Sequence, residues 1–338
     1  MIQFEDFQKV LRVMDPFVPR SLVEGTSIGL SICDNGVLFA STSGSRALYS
    51  FDSPVSDVSF VLPRDIIPKL LKLSYAREWK GFMLDNNEIV LRIGRIVIRF
   101  PHMEVGACSI DVGDSCLIEL PNEFLGALSW MAEFACSDDR KVNLYGLFIS
   151  GEYIYACDNI RVTRRRCAGL EQLVGVFLPR PCVEVLCKDK LVTSAWHTDS
   201  VLGFLEHPYV FNFSKFGAEF PNLEPSVLRA LESESVSVEI VDSSGDIAEF
   251  RDMLTGDLSD VPVEVSFVDS QLEVRTLSGI SKFKFNVAAK VSKPFDTFLV
   301  KGLYFVNGLL HFDTLKVADK CIIFQSKAAD QIVMKIVR

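Results

Sequence analysis

Four histidines, nine cysteines and 44 acidic residues are the side chains from which this 338-residue chain could build catalytic or metal-binding chemistry. His102, His197, His207 and His311 show no metal-ligand spacing, and none stands in a His-Glu-x-x-His arrangement. His207, followed by Pro208, reads as a turn residue. The paired carboxylates Asp138 and Asp139, and those around Asp242 and Asp246, could hold a metal, but the same residues cap helices and shape loops, which is the expectation here. Cys157 could attack a substrate only with a histidine to deprotonate it, and the sequence offers no partner. There is no glycine-rich phosphate loop with its lysine and no Gly-x-Gly-x-x-Gly after a strand. The nine cysteines sit singly in apolar segments with no Cys-x-x-Cys pair, so free buried thiols are expected rather than disulfides or zinc. These residues predict no enzyme, no cofactor and no metal.

The basic residues form a clearer pattern. A net charge of −9, from 35 Lys and Arg against 44 Asp and Glu, by itself argues against nucleic acid. Their distribution is uneven, however. Arg64, Lys69 and Lys72 fall in one stretch, Arg180, Lys188 and Lys190 in a second, and Lys290, Lys293 and Lys301 in a third, while Arg161, Arg164, Arg165 and Arg166 form a further basic run. Gathered on equivalent elements, such residues can share one surface that meets phosphates; taken singly, each is a solvated helix face.

The elements that would position them repeat. Each copy is expected to hold a short apolar helix opened by a small residue or proline, then a turn and alternating strands. The first copy reads Leu62-Pro63-Arg64-Asp65-Ile66-Ile67-Pro68-Lys69-Leu70-Leu71-Lys72-Leu73, followed by strands at 79–84 and 88–100. The second is Phe177-Leu178-Pro179-Arg180-Pro181-Cys182 onward to Lys188, with strands at 191–196 and 201–213. The third begins Phe285-Asn286-Val287-Ala288-Ala289-Lys290 and is expected to stay helical to Lys301, with strands at 303–305, 309–313 and 321–325. An amphipathic helix opens each third, at 4–11, 123–131 and 247–254, followed by strands of period two around turns such as Asn35-Gly36, Ser150-Gly151 and Asp269-Ser270. A period of about 110 to 120 residues is too long for a solenoid unit and predicts tandem domains of one design. The expected class is α+β, with two helices on one face of antiparallel sheet in each domain and boundaries at 1–115, 116–232 and 233–338.

With 49% hydrophobic residues and 26 Phe, each third can bury a core. No apolar run approaches the length of a membrane span, and Met1-Ile2-Gln3-Phe4-Glu5-Asp6 lacks the basic start of a signal peptide, so a cytoplasmic protein with no membrane partner is expected.

In order along nearly the whole chain, local strings resemble the bacterial-type DNA polymerase sliding clamp, the β subunit that acts as processivity factor. Pro19-Arg20, the 28–32 strand and Asn35-Gly36-Val37-Leu38 are similar to the family's Arg-Pro, strand and Asp-Gly-Thr-Leu run. Val142-Asn143-Leu144-Tyr145-Gly146-Leu147-Phe148 resembles its Tyr-Leu-Asn-Gly-x-Leu-Phe strand, and Ala156-Cys157-Asp158-Asn159-Ile160-Arg161-Val162 its Ala-Thr-Asp-Gly-His-Arg-Leu. Leu178-Pro179-Arg180 resembles a Val-Pro-Arg helix start and Glu219-Phe220-Pro221-Asn222-Leu223 an Arg-Phe-Pro-Asp-Tyr. Phe285-Asn286-Val287 and Ile332-Val333-Met334-Lys335-Ile336-Val337-Arg338 resemble Phe-Asn-Val and Val-Met-Pro-Met-Arg-Leu.

The resemblance implies a homodimeric ring of six similar domains, helices lining a hole for duplex DNA, with DNA polymerase and a clamp loader as partners. It makes Arg20 a DNA contact, alongside Arg64, Lys69, Lys72, Arg164, Arg165, Arg180, Lys188, Lys290 and Lys293. It also implies a pocket for a partner peptide bearing a glutamine and apolar anchors, lined by Leu144, Cys157, Asn159, Ile160, Arg161, Val162, Pro221, Asn286, Ile332, Met334 and Ile336. Asn159 and Ile160 in place of Gly-His, and Lys335 in place of proline, imply a different peptide preference, as in a bacteriophage replicon. Acidic residues on the opening helices, among them Glu123, Glu133, Glu249 and Asp252, depart from a basic lining. Two readings from the residues alone stay open: a β-rich structural or virion protein without DNA, and a single-strand binder needing exposed aromatics among basic residues.

Overall fold

The computed structural model describes residues 3–18, 27–33, 37–41, 45–50, 58–73, 79–102, 110, 117–173, 175–189, 192, 194–198, 201–206, 209–214, 220–241, 246–254, 260–277 and 283–337. The chain opens with α1 (Phe4–Met14), β1 (Ser27–Cys33), β2 (Val37–Ser41), β3 (Ser45–Ser50), β4 (Val58–Pro63), α2 (Ile67–Lys72), β5 (Trp79–Asp85), β6 (Glu88–Ile93) and β7 (Ile96–Pro101). It continues through β8 (Ile118–Glu119), α3 (Phe124–Ala132), β9 (Gly146–Ser150), β10 (Tyr153–Cys157), β11 (Arg161–Arg166), β12 (Val176–Pro179), α4 (Arg180–Asp189), β13 (Ser194–His197), β14 (Val201–Glu206), β15 (Tyr209–Ser214) and α5 (Glu224–Leu231). The remainder is β16 (Ser235–Ile240), α6 (Asp246–Met253), β17 (Pro262–Val268), β18 (Gln271–Thr276), β19 (Lys284–Val291), β20 (Phe298–Lys301), α7 (Gly302–His311), β21 (Thr314–Ala318), β22 (Cys321–Gln325) and β23 (Ala329–Met334). This is the α+β class that the repeat predicts. No described helix is long and apolar enough to cross a membrane.

These elements gather into two compact units, residues 1–129 with 172–217 and residues 130–171 with 218–338. In unit 1 an eight-stranded sheet runs β4-β1-β2-β3-β15-β14-β13-β8. Its seam is the antiparallel pairing of β3 with β15, Tyr49 opposite Tyr209 and Ser45 opposite Phe213, which joins strands far apart in the chain. Unit 2 repeats the design: β9-β10-β11 meets β23-β22-β21-β16, with Val162 opposite Ile332 and Arg165 opposite Ala329 at the seam. Each unit carries further strands, β5-β6-β7 in unit 1 and β19-β18-β17-β20 in unit 2.

Local chemistry explains the elements. In α1 the buried Phe4, Phe7, Val10, Leu11 and Met14 recur at three- and four-residue steps, with Glu5 and Asp6 in the first turn and Arg12 in the last, where they oppose the helix dipole. The β5–β6 and β17–β18 hairpins turn on Asn86-Asn87 and Asp269-Ser270, whose positive φ values of 49° and 65°, and 49° and 63°, suit two-residue turns that follow strand twist. Gly203 and Gly308 have no room for a side chain: a Cβ would collide with the Trp196 ring in unit 1 and the Phe324 ring in unit 2. Aromatic clusters fill the cores, Phe4, Phe7, Phe60, Trp79 and Phe82 in unit 1 and Phe298, Phe305, Phe312 and Phe324 in unit 2.

The third copy of the repeat departs from expectation. Residues 284–291 are strand β19 rather than a helix, because Val287 and Ala289 are buried while Asn286 and Lys290 are exposed, a period of two that the Ala288-Ala289 pair disguises. The helix lies later, at α7, over residues expected to be strands. It contains two glycines and weak helix formers, and it holds by burying Tyr304, Phe305, Val306 and Leu309. Helix α5 is an addition to the expected elements, and Pro225 in its first turn suits a helix start. The expected Asn35-Gly36 turn lies outside the described residues.

Candidate functional site

The most distinctive site is a cleft in unit 2, beside the β11–β23 seam. Antiparallel strands send alternate side chains to opposite faces. On β11, Arg161 and Arg165 turn to the helix side: the Arg161 guanidinium lies 5.3 Å from the centre of the Phe134 ring and 4.1 Å from that of Tyr304, and Arg165 lies 5.0 Å from Trp130. Val162 and Arg164 take the other face, where Arg164 pairs with Asp330 at 2.9 Å and stacks on Tyr153 at 4.6 Å.

The turn before β11 is tightly built. The Asp158 carboxylate accepts backbone N–H bonds from Ile160 at 3.3 Å and Arg161 at 3.1 Å, and it pairs with the Arg161 guanidinium at 3.0 Å. Asn159 takes φ 77°, a left-handed conformation that asparagine tolerates better than most residues. The Met334 N–H donates to the Ile160 carbonyl at 2.9 Å, fixing the end of β23 to this turn. Asn159 and Ile160 are thereby held, exposed, at the rim of a cavity.

That cavity, about 440 Å³, has an apolar floor of Leu144, Cys157, Val162 and Ile332 and a wall of Pro221 and Leu223. The wall is held by the stacking of Phe220 on Phe148, ring centres 4.8 Å apart. A second cavity of about 570 Å³ lies against α5, lined by Val227, Ala230 and Cys321, and shares Val162, Ile332 and Met334 with the first. Met334, 46% exposed, stands between them. Burial pushes the Cys157 thiol above its ordinary range, so it is a neutral lining group and a poor nucleophile. Among the described residues no group of three or more His, Cys, Asp or Glu could hold a metal.

Nine of the eleven residues expected for the pocket meet in this cavity, joined by Asn143 and Leu223, which lie in strings of the resemblance but not in the expected pocket set. Asn286 does not: it lies exposed on β19, opposite Glu273 of β18. The reading of residues 285–301 as the helix of the third copy places it at a helix start, whereas the helix begins only after the Phe298-Leu299-Val300 strand that leads into α7. Ile336 is outside the cavity: its N–H donates to the Leu299 carbonyl at 2.8 Å, and it lines an adjoining groove with Phe298, Lys335 and Met334. Lys335, where the resemblance leads one to expect proline, donates to the Ala318 carbonyl and lies 4.8 Å from the centre of the Phe298 ring.

The basic residues scatter more than expected. Lys69 pairs at 3.6 Å with Asp65 in the turn ahead of α2, and Arg180 with Glu184 at 3.1 Å along α4, while Lys72 and Lys188 are exposed in the last turns of α2 and α4. Arg64 is half-buried in the turn ahead of α2. Lys290 and Lys293 are not helical: they pair with Glu239 at 3.9 Å and Glu234 at 2.6 Å beside β16 and β19. Arg164 and Arg165 face opposite sides of the sheet and cannot serve one surface. Arg20 lies outside the described residues.

The fold defines a class: the chain has the fold of the bacterial DNA polymerase III β sliding clamps. It matches, over 100% of its own length, the sliding clamp of Bartonella birtlesii solved with griselimycin bound (TM-score 0.77, 13% identity, 98% of that chain). It likewise matches the polymerase III β subunit of Thermotoga maritima (0.77, 14%, 98% of that chain) and the sliding clamp of Bacillus subtilis (0.75, 14%, 98%). No protein-family model matches the sequence, and no curated protein is similar to it at a significant level. At such identities the likeness is one of fold.

Proposed function

We propose that this protein is a DNA sliding clamp: a non-catalytic ring that encircles duplex DNA and tethers a replicative polymerase. The observation that carries this reading is the agreement of fold over the whole chain, with TM-scores up to 0.77 at 100% coverage. The three-domain division at 1–115, 116–232 and 233–338 is supported by the repeated seam, β3 with β15 and β11 with β23. Two copies would close head to tail into six domains. Edge strand β7, with Ile96 and Val97 44% and 50% exposed, is a surface such closure would cover.

In this reading the cleft around Leu144, Cys157, Ile160, Ile332 and Met334 takes a short segment of polymerase or clamp loader. Its apolar floor and amide rim suit apolar anchors with a neutral hydrogen-bonding residue, since the Arg161 charge is already neutralised by Asp158. The ring would work where the DNA is, in a bacterial cytoplasm or that of a phage-infected cell. Negative-stain electron microscopy with a solution mass tests the proposal. A closed ring at twice the 37.8 kDa chain mass, with a hole wide enough for duplex DNA, is expected. A compact monomer showing neither rings nor crescents would overturn it.

A further inference from the structure

The turn at the rim of the cleft is held from beneath by helix α7. The Asp158 carboxylate is buried and accepts hydrogen bonds from four groups. Its Oδ1 takes the Ile160 and Arg161 N–H groups, and its Oδ2 the Arg161 guanidinium. The fourth is the phenol of Tyr304, in the first turn of α7. Burial, and next a hydrogen bond to the Asp158 carboxylate, raise the pKa of that phenol above its ordinary value of 10. A hydroxyl has one proton to donate and lone pairs with which to accept. With its proton directed to Asp158, the Tyr304 oxygen accepts from Lys301 Nζ at 3.1 Å. Lys301 immediately precedes α7, and its ammonium lies 4.3 Å from the centre of the Tyr304 ring and pairs with Asp260 at 2.5 Å. A line of charges and one hydroxyl thus runs Asp260, Lys301, Tyr304, Asp158, Arg161, from the segment ahead of β17 to the cleft rim.

The two ends of this line differ in weight. The Asp260 side chain is 84% exposed, and an ion pair so open to water contributes little. Asp158, Arg161 and Tyr304 are buried, where charge-assisted hydrogen bonds are strong and a lost donor is costly. The rim depends on that buried end. Asn159 keeps its left-handed φ of 77°, and Ile160 its place at the cavity, while Asp158 holds the Ile160 and Arg161 N–H groups and the Met334 N–H ties down the Ile160 carbonyl. Tyr304 does not line the cavity, so it reaches the cleft through Asp158.

We propose that Tyr304, with Lys301 behind it, is a positioning residue for the partner cleft: its hydroxyl fixes the Asp158 carboxylate, and with it the Asn159–Ile160 rim, so that the cleft is formed before a partner segment enters. This rests on the reading of the cleft as a partner site. The rim is ordered on folding rather than on binding, which raises affinity without adding a contact.

The test uses the full-length protein, amide hydrogen exchange over residues 157–163 read by mass spectrometry, and calorimetry with a synthetic peptide of glutamine followed by apolar anchors. Tyr304→Phe keeps the ring against Arg161 and removes only the hydroxyl. It should speed exchange in that segment on the order of tenfold and weaken the peptide by a similar factor, while moving the thermal midpoint by no more than about 3 °C. Lys301→Met should do the same by about threefold, and Asp260→Asn should change either quantity less than about twofold. Exchange in β9 and β22 should stay unchanged, which a general loosening of the fold would not allow. If Tyr304→Phe fails to move local exchange and peptide affinity together, the inference is overturned while the cleft reading stands. If the unaltered protein takes up no peptide at about 1 mM, or Met334→Ala leaves its binding unchanged, the cleft reading and the inference fall together.

Discussion

The guanidinium of Arg161 lies 4.1 Å from the centre of the Tyr304 ring, which ties strand β11 to helix α7 within unit 2. The same group pairs with Asp158, the two side chains being only 6% and 8% exposed, and donates to the Glu133 carbonyl at 3.1 Å. One arginine therefore fixes the turn that forms the cavity rim, the end of α3 and the face of α7. Removing it strands a buried carboxylate. Arg161→Ala should lower stability by about 3–5 kcal/mol, read from denaturant unfolding, and Asp158→Asn in that background should recover part of the loss.

His311 gives unit 2 a dependence on pH. Burial lowers its pKa below the ordinary 6.5, outweighing the Glu133 carboxylate nearby. The unfolded chain therefore takes up the proton first as pH falls. The stability associated with neutral His311 is intact above about pH 6.5 and is lost progressively as pH drops toward the folded value. His311→Gln should flatten the thermal midpoint below about pH 6.5 relative to the unaltered protein and leave the two curves parallel above it.

Close packing at two glycines makes a paired prediction. Gly203→Ala drives a methyl group into the Trp196 ring and Gly308→Ala into that of Phe324, both rings fully buried. Each substitution should cost about 1–3 kcal/mol by overpacking. Limited proteolysis should release unit 1 fragments first from the Gly203 variant and unit 2 fragments first from the Gly308 variant.

The cleft predicts a selective partner. Met334 borders both cavities and is half exposed, so Met334→Ala should weaken a bound partner peptide about tenfold while moving the thermal midpoint little. With Ile160 and Asn159 at the rim, a clamp-binding peptide of the usual bacterial type, glutamine followed by apolar anchors, should bind weaker than low micromolar by calorimetry. Low micromolar binding would sink that expectation.

Much of the cleft is legible in the sequence because its residues are local strings: 142–148, 156–162 and 332–338 each read as strand, turn or strand end, and nine of eleven lining residues meet where the resemblance puts them. Asn286 falls elsewhere because a three-residue likeness, Phe-Asn-Val, says less about position than the alternation of buried and exposed residues around it. Leu223 closes the 219–223 string that resembles the family, yet its place in the wall depends on the stacking of Phe220 against Phe148, which no local string encodes.

By itself the sequence determined the α+β class and the helix-and-strand copies of the first two thirds, since these follow from short-range periodicity and turn chemistry that neighbouring residues encode, while the residues of the cleft were reached through the likeness of local strings to a known family. Only the tertiary structure decided which way each charge points. Arg164 and Arg165 are adjacent in the chain yet lie on opposite faces of a sheet, one bound to Asp330 and the other stacked on Trp130. Asp158 and Lys301 are far apart in the chain yet meet on the Tyr304 hydroxyl. Side-chain direction and long-range pairing come from packing between distant segments, and no local pattern carries that information.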